Sequence, residues 1–510
     1  MRDLVLVLGD QLSHDSPALR EIDPRLDLVL FLEAEGEARR VPSHKARIAL
    51  FLSAMRHHAA ALRARGLRVV ERRLGEQGPE DLGEAFTEAL GKYAPRRVVF
   101  VEPGEWDLAQ DLERRARDAQ VPCLVLDDDH FLVSRAEFAS WAKGRATLRM
   151  ETFYHHVRAT RDLLMRDGQP EGGRWNFDAE NRKGFGAKGP GWVPRPVAFA
   201  PDAITREVID LVRERFPDHP GSLDSFDWPV TREQALDALD DFASHRLERF
   251  GETQDALWST EPVLFHARLS AAMNLKLLSP REVLDRVLAE GRARSVPLSG
   301  LEGFVRQVAG WREFVRGVYW LDMPGLREAN HFRHGRDLPT WYWTGRTRMR
   351  CLALVVGQVL ETGYAHHIQR LMVLGLFGLT AGIAPRQVSD WFLALFVDAV
   401  EWVELPNVAG MALYANGGRF TSKPYAAGGA YIDRMGDSCE GCRYRPDRRT
   451  GPQACPLTVF YWDFLARHAK EFSRNPRMAP ALSSWNRFPA AEREAIAARA
   501  RELLEDLEAL

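Results

Sequence analysis

The chain has 510 residues, too many for one ordinary core, which implies two or three domains. Hydrophobic residues make up 45% and charged residues 27%, with a formal net charge of −2. This is a globular balance without a global basic excess, so any nucleic-acid surface must be a local patch. The five cysteines, Cys123, Cys351, Cys439, Cys442 and Cys455, are too sparse and odd in number for a disulfide framework and fit a reducing cytoplasm.

The opening MRDLVLVLGDQLS reads as a buried first strand rather than a leader peptide. Short apolar runs at 4–8, 28–32, 67–70, 97–101 and 123–126 alternate with helical patterns at 44–65, 80–90 and 108–119. That alternation predicts a Rossmann-like α/β domain over 1–130, a parallel sheet with helices on both faces. Cys123, inside the last of these strands, reads as core. No G-x-G-x-x-G follows the first strand, which disfavours an ordinary nicotinamide site.

The pattern weakens over 131–201, where RWNFDAENRKGFGAKGPGWVPRP reads as a long interdomain connection. From 202 to 510 the chain reads as one large all-α domain. Apolar residues recur at helical spacing over 233–250, 281–288, 303–318, 347–360, 368–377 and 492–507. A loop-rich insert over 417–456 interrupts it. The longest apolar stretch, 371–383, is broken by glycines and too short to span a bilayer, so a soluble protein is expected.

Cys439-Glu-Gly-Cys442 forms a C-x-x-C, Cys455 follows with Pro456 behind it, and Cys351 lies upstream in a predicted helix. A C-x-x-C in a polar loop places two thiolates on one metal site. The spacing is compatible with structural zinc or with an iron–sulfur cluster.

Several segments of the helical part resemble photolyases and cryptochromes. Arg268-Leu269-Ser270 through Leu278-Ser279-Pro280-Arg281 matches the segment whose start wraps the flavin diphosphate in that family. Here His266-Ala267 replace the family's Thr-Ser. Gly310-Trp311-Arg312-Glu313-Phe314 matches the W-R-E-F that places a tryptophan on the lesion and an arginine by the flavin. Gly363-Tyr364-Ala365-His366-His367 through Arg370 carries the double histidine of (6-4) photolyases, with Arg370 beside the flavin. Asp398 matches an aspartate near the flavin ring, Val400 replaces a second aspartate, and Glu404 falls where a residue faces flavin N5, a departure that bears on redox tuning.

With the four cysteines, and with GDQLS, ETFYHHVR and RWNFDAENR, the chain resembles the bacterial iron–sulfur cryptochromes and photolyases, prokaryotic (6-4) photolyases included. The resemblance implies the photolyase/cryptochrome fold, FAD and a 4Fe–4S cluster on Cys351, Cys439, Cys442 and Cys455. It also implies a 6,7-dimethyl-8-ribityllumazine antenna, with Asp10, Gln11, Glu37 and Lys45 as contacts. Phe250, His266, Ala267, Arg268, Leu269, Ser270, Arg312, Arg370, Asp398 and Glu404 are the implied flavin contacts. Trp311, Tyr425, Tyr431, His366 and His367 would meet a flipped lesion, with His366 first in line to give a proton, and Trp391 and Trp343 would relay electrons.

UV-damaged DNA is the expected partner of a monomer. Its backbone would be held by Arg174, Arg182, Lys183, Lys423, Arg443, Arg445, Arg448 and Arg449. Asp178 and Glu180 could hold Mg²⁺. A blue-light photoreceptor with the same cofactors, a flavin and iron–sulfur electron-transfer protein, and a light-independent nucleic-acid-binding module are the alternative functions.

Overall fold

The structure is a computed structural model that describes residues 1–510. Strands β1 (Asp3–Val7), β2 (Leu28–Leu32), β3 (Val69–Arg72), β4 (Arg97–Val101) and β5 (Cys123–Leu126) form one sheet in the order β3-β2-β1-β4-β5. Every pairing is parallel, with Leu4 opposite Leu28 on one side and Val98 on the other.

Side chains alternate between the faces of a strand. Leu4, Leu6, Leu28, Leu30, Val98 and Phe100 pack with Leu82, Phe86, Leu90 and Leu112 of helices Leu82–Tyr93 and Trp106–Asp118. Val5, Val7, Val29, Phe31, Val99 and Val101 face the other way, into a core shared with helix Lys45–Ala64 and with the helical part of the chain. Both faces are buried at the centre of the sheet, which is why β1, β2 and most of β4 are continuous apolar runs, while the edge strands β3 and β5 are only half-buried.

Two expectations need correction. Cys123 is exposed: it is the first residue of β5, which lies at the edge of the sheet. The connection over 131–201 begins with two helices, Arg135–Ala142 and Met150–Arg161. The second buries Phe153, Tyr154 and Val157, so apolar packing fixes it despite its polar exterior. Beyond Asp202 the chain is helical almost throughout, and the expected helix over 233–250 breaks at Arg246 into Arg232–His245 and Leu247–Thr253. No helix is long and apolar enough to cross a membrane.

Three π-helical stretches, Arg306–Arg312, Arg370–Gly375 and Pro406–Ala412, converge in the helical part. Each supplies residues to one cavity. Such turns widen the backbone locally and re-aim side chains, and they gather at functional sites.

Candidate functional site

The cavity has a volume of about 330 Å³. All ten flavin contacts expected from the sequence line it, as do Trp311, His366 and His367. They come from helix Leu247–Thr253, the turn before Ser270–Asn274 with Ser270 itself, the first two π-helical stretches, the segment 366–367, and Asp398 before and Glu404 within helix Glu401–Leu405.

Arg370 organises one wall. Its Nη2 donates to both oxygens of Asp398 at 2.9 Å, its Nη1 to Glu404 Oε1 at 3.0 Å and its Nε to the Ala365 carbonyl at 2.7 Å. Ser270 Oγ donates to Asp398 Oδ2 at 2.6 Å, and Asn274 Nδ2 donates to the Asp398 carbonyl at 2.7 Å. Asn274 Oδ1 in turn accepts from Arg312 Nη1 at 2.5 Å. Burial, opposed by Arg370, pushes the Glu404 carboxyl up to about 7, and burial lowers the Arg312 guanidinium to about 10.

Arg268 adopts a left-handed backbone, φ 58°, and turns its guanidinium onto Asp227 and over the Trp228 ring at 3.9 Å. The N–H groups of Ala267, Arg268 and Leu269 donate to no protein acceptor. Three free donors in one bend suit a diphosphate. The donor set therefore fits a dinucleotide flavin.

His366 is buried and its backbone N–H donates to Gln369 Oε1 at 3.0 Å, while its Nδ1 has no partner. Its ring stacks on His266 with centroids 4.2 Å apart. His367, the next residue, is exposed to the cavity. Burial and then Arg370 lower its imidazole to about 4. Trp311 is half-buried beside Phe314. Tyr425 and Tyr431 do not line the cavity. They stand near Arg182, and Tyr431 also near Asp255, a lining residue whose carboxyl burial pushes up to about 6.

Trp391 is fully buried, and its indole N–H donates to the Tyr342 carbonyl at 3.0 Å. Its ring meets Tyr342 at 5.2 Å and Phe392, a lining residue, at 5.3 Å. Trp343 follows Tyr342 in the chain and is half-buried.

A second cavity, of about 130 Å³, opens at the carboxyl ends of β1, β2 and β4, where the strand order reverses. This is the usual ligand crevice of an open parallel sheet. Asp10 and Glu37 line it with Phe51, Met55, Gly104 and Leu108. Burial pushes Asp10 up to about 6. Burial, followed by the charge of Glu105, pushes Glu37 up to about 7. Gln11 and Lys45 do not line this cavity. Gln11 donates to the Val101 and Glu102 carbonyls at 3.2 and 2.9 Å, and Lys45 reaches the Pro217 carbonyl at 2.8 Å.

The four cysteines come together from distant segments. Cys351 lies on helix Arg350–Thr362, Cys455 caps helix Pro456–Arg467, and Cys439 and Cys442 belong to the turn before it. Burial, and then the charges of Cys455, Cys439 and Cys442, push the Cys351 thiol up. Yet no group of three or more His, Cys, Asp or Glu side chains is close enough to hold a single metal ion. A set of four thiols suits structural zinc or an iron–sulfur cluster by its ligand chemistry.

Asp178 pairs with Arg182 and, at 3.0 Å, with Arg306, and Glu180 pairs with Arg174 at 2.7 Å. Lys183 pairs with Glu252 and Arg449 with Glu492, whereas Lys423, Arg443, Arg445 and Arg448 are exposed.

A sheet with a cavity at its switch point, joined to a helical part with a flavin-shaped donor set, defines the photolyase/cryptochrome class. Two solved structures share the fold. A bacterial class III photolyase from Agrobacterium tumefaciens aligns with a TM-score of 0.56 at 16% identity, over 85% of this chain and 86% of its own. The Synechocystis sp. PCC6803 cryptochrome aligns with a TM-score of 0.57 at 14% identity, over 85% and 88%. Residues 5–228 match the family profile of deoxyribodipyrimidine photo-lyase-related proteins. The (6-4) photolyase of Agrobacterium fabrum is 44% identical over the whole of both chains. The chain belongs to the photolyase-related family.

Asn274 and Asp255 are lining residues that pattern reading missed. Asn274 had a signal: it is the lone amide in the mostly apolar SAAMNLKLL, whose other polar residues are Ser270 and Lys276. Asp255 had none.

Proposed function

We propose that the protein is a light-driven DNA repair enzyme, a (6-4) photolyase that restores pyrimidines from (6-4) photoproducts. The observation that carries this is the single cavity in which the expected flavin contacts surround the histidine pair. The full-length similarity to a (6-4) photolyase supports it.

In this scheme Arg370, Asp398, Glu404 and Arg312 hold FAD, and the amides of residues 267–269 take its diphosphate. Reduced and bound there, FAD supplies the light-driven electron. Trp311 stacks the flipped lesion, and Tyr425 and Tyr431 guide it at the rim beside Arg182. Unstacking a damaged base costs a few kcal/mol, less than for an intact pair. The histidine pair delivers the proton. Because burial lowers the His367 imidazole to about 4, the negative charge of the bound phosphates must favour its protonated form. His367 opens on the cavity, whereas the resemblance gave His366 first place.

Trp391 carries electrons inward, with Trp343 toward the surface and Tyr342 between them. Cys351, Cys439, Cys442 and Cys455 hold a 4Fe–4S cluster that pins the 429–455 segment beside the site. Asp10 and Glu37 bind a lumazine antenna, Glu37 as a neutral hydrogen-bond donor below pH about 7 and Asp10, raised only to about 6, as an acceptor at neutral pH. Exposed arginines and lysines hold the DNA backbone, since surface ion pairs worth less than about 1 kcal/mol are readily exchanged for phosphates. Mg²⁺ at Asp178 and Glu180 would have to displace the Arg174, Arg182 and Arg306 pairs.

Incubating the reduced protein with DNA carrying a defined (6-4) photoproduct, under blue light and in the dark, tests the assignment. Chromatography should find restored thymines only after illumination. No restoration by protein with bound FAD would overturn it.

A further inference from the structure

His266 stands where the family has a small hydroxyl residue, and its surroundings are peculiar to a histidine. Its Nδ1 lies 2.9 Å from the Val263 carbonyl oxygen and its Nε2 lies 3.0 Å from the Gln254 carbonyl oxygen. A carbonyl only accepts, and a neutral imidazole carries one N–H and one lone pair. In the neutral ring one of these contacts would set a lone pair against a carbonyl oxygen. In the doubly protonated ring both are hydrogen bonds.

The ring also lies flat on His366, 4.2 Å away with the planes 10° apart, and Phe250 closes on it edge-first at 6.2 Å. His366 has no acceptor at Nδ1. Two imidazolium rings in face contact repel, so one of the pair stays neutral. The ring anchored by two carbonyls is the better holder of the charge. The charged or titratable groups on the segment packed against this pair are His367 and Arg370. Asp255 lines the same cavity, while helix Leu247–Thr253 and the 263–265 turn present the Phe250 ring and backbone. Burial outweighs the two carbonyls and lowers the His266 imidazole overall, so the case for the second proton is geometric: two carbonyl oxygens at hydrogen-bond distance, one on each ring nitrogen.

We propose that His266 is a doubly protonated positioning residue: its fixed charge, stacked on His366, holds that ring oriented and neutral, and leaves the cavity-facing His367 to deliver the proton in repair. The consequence for repair rests on the photolyase assignment; the protonation state of His266 does not.

The test uses FAD-loaded protein labelled with ¹⁵N-histidine, observed by NMR well above the ordinary imidazole pKa of about 6.5. The His266 signals are assigned by their loss in His266→Phe, which keeps an aromatic ring and removes the charge. Two ring N–H groups on His266 and one on His366 are expected. A single N–H on His266 overturns the proposal, whatever the variant's stability.

The second readout is the pH profile of single-turnover repair per bound FAD. Removing a neighbouring positive charge raises the pKa of His367, so the alkaline limb should move up by about one unit in His266→Phe. An unmoved limb overturns the electrostatic role. Two N–H groups on His266 in a protein that repairs nothing would uphold its protonation and sink the repair assignment instead.

Discussion

The two cavities manage buried charge in opposite ways. In the helical part nearly every charge has a partner: Arg370 binds Asp398 and Glu404, and Arg312 binds Asn274. At the sheet, Asp10 and Glu37 face Phe51, Met55 and Leu108 without an ion pair, and both carboxyls are pushed toward their neutral forms. A paired, rigid set suits a site where charge moves, because its dipoles are already oriented when the charge arrives. Lone carboxylic acids against apolar walls suit the capture of an uncharged ring by hydrogen bonding. The difference agrees with the proposed scheme, in which chemistry belongs to one cavity and light collection to the other.

The largest break should come from the histidines. His367→Ala should cut repair by about 10²–10⁴-fold, the usual worth of a positioned proton donor, while FAD stays bound. Single-turnover assays with flavin absorbance as the loading control would check this. Arg370→Leu comes next. It strands two buried carboxylates, so it should cost about 3–5 kcal/mol of stability and release FAD, read by thermal melting and flavin content.

Gly104→Ala separates the cavities. A Cβ there would lie 2.4 Å from Asp10 Oδ2, which would be driven into the sheet cavity. Antenna content should fall with FAD unchanged, as extraction and absorbance would report. Loss of both chromophores would contradict the division of labour. The smallest effect is a pH dependence. Burial raises Glu37 to about 7, so its protonated, donating form prevails below that pH and is lost above it. Antenna retention in dialysis should decline a few-fold as pH rises through 7, and Glu37→Gln, which keeps a donor, should remove the decline.

The flavin cavity was legible in the sequence because its residues sit in contiguous segments, 266–270, 311–312, 366–370 and 398–404, whose types and order carry the resemblance. The sheet was legible from its apolar runs. Other features depend on tertiary position. Cys123 is as apolar in context as any core residue, and only its place on the edge strand exposes it. Gln11 and Lys45 have the polarity of cavity residues and spend it on backbone carbonyls instead. The three π-helical stretches leave no local mark, because a widened turn reflects packing across helices rather than propensity. The stacking of His266 on His366 joins residues a hundred positions apart, and no spacing rule reports it.

The most direct measurement gives the reduced, FAD-loaded protein two DNA substrates under the same blue light, one carrying a (6-4) photoproduct and the other a cyclobutane dimer. The histidine-lined cavity predicts that pyrimidines are restored in the first and not in the second. Restoration of the dimer alone, or of neither, would contradict the account.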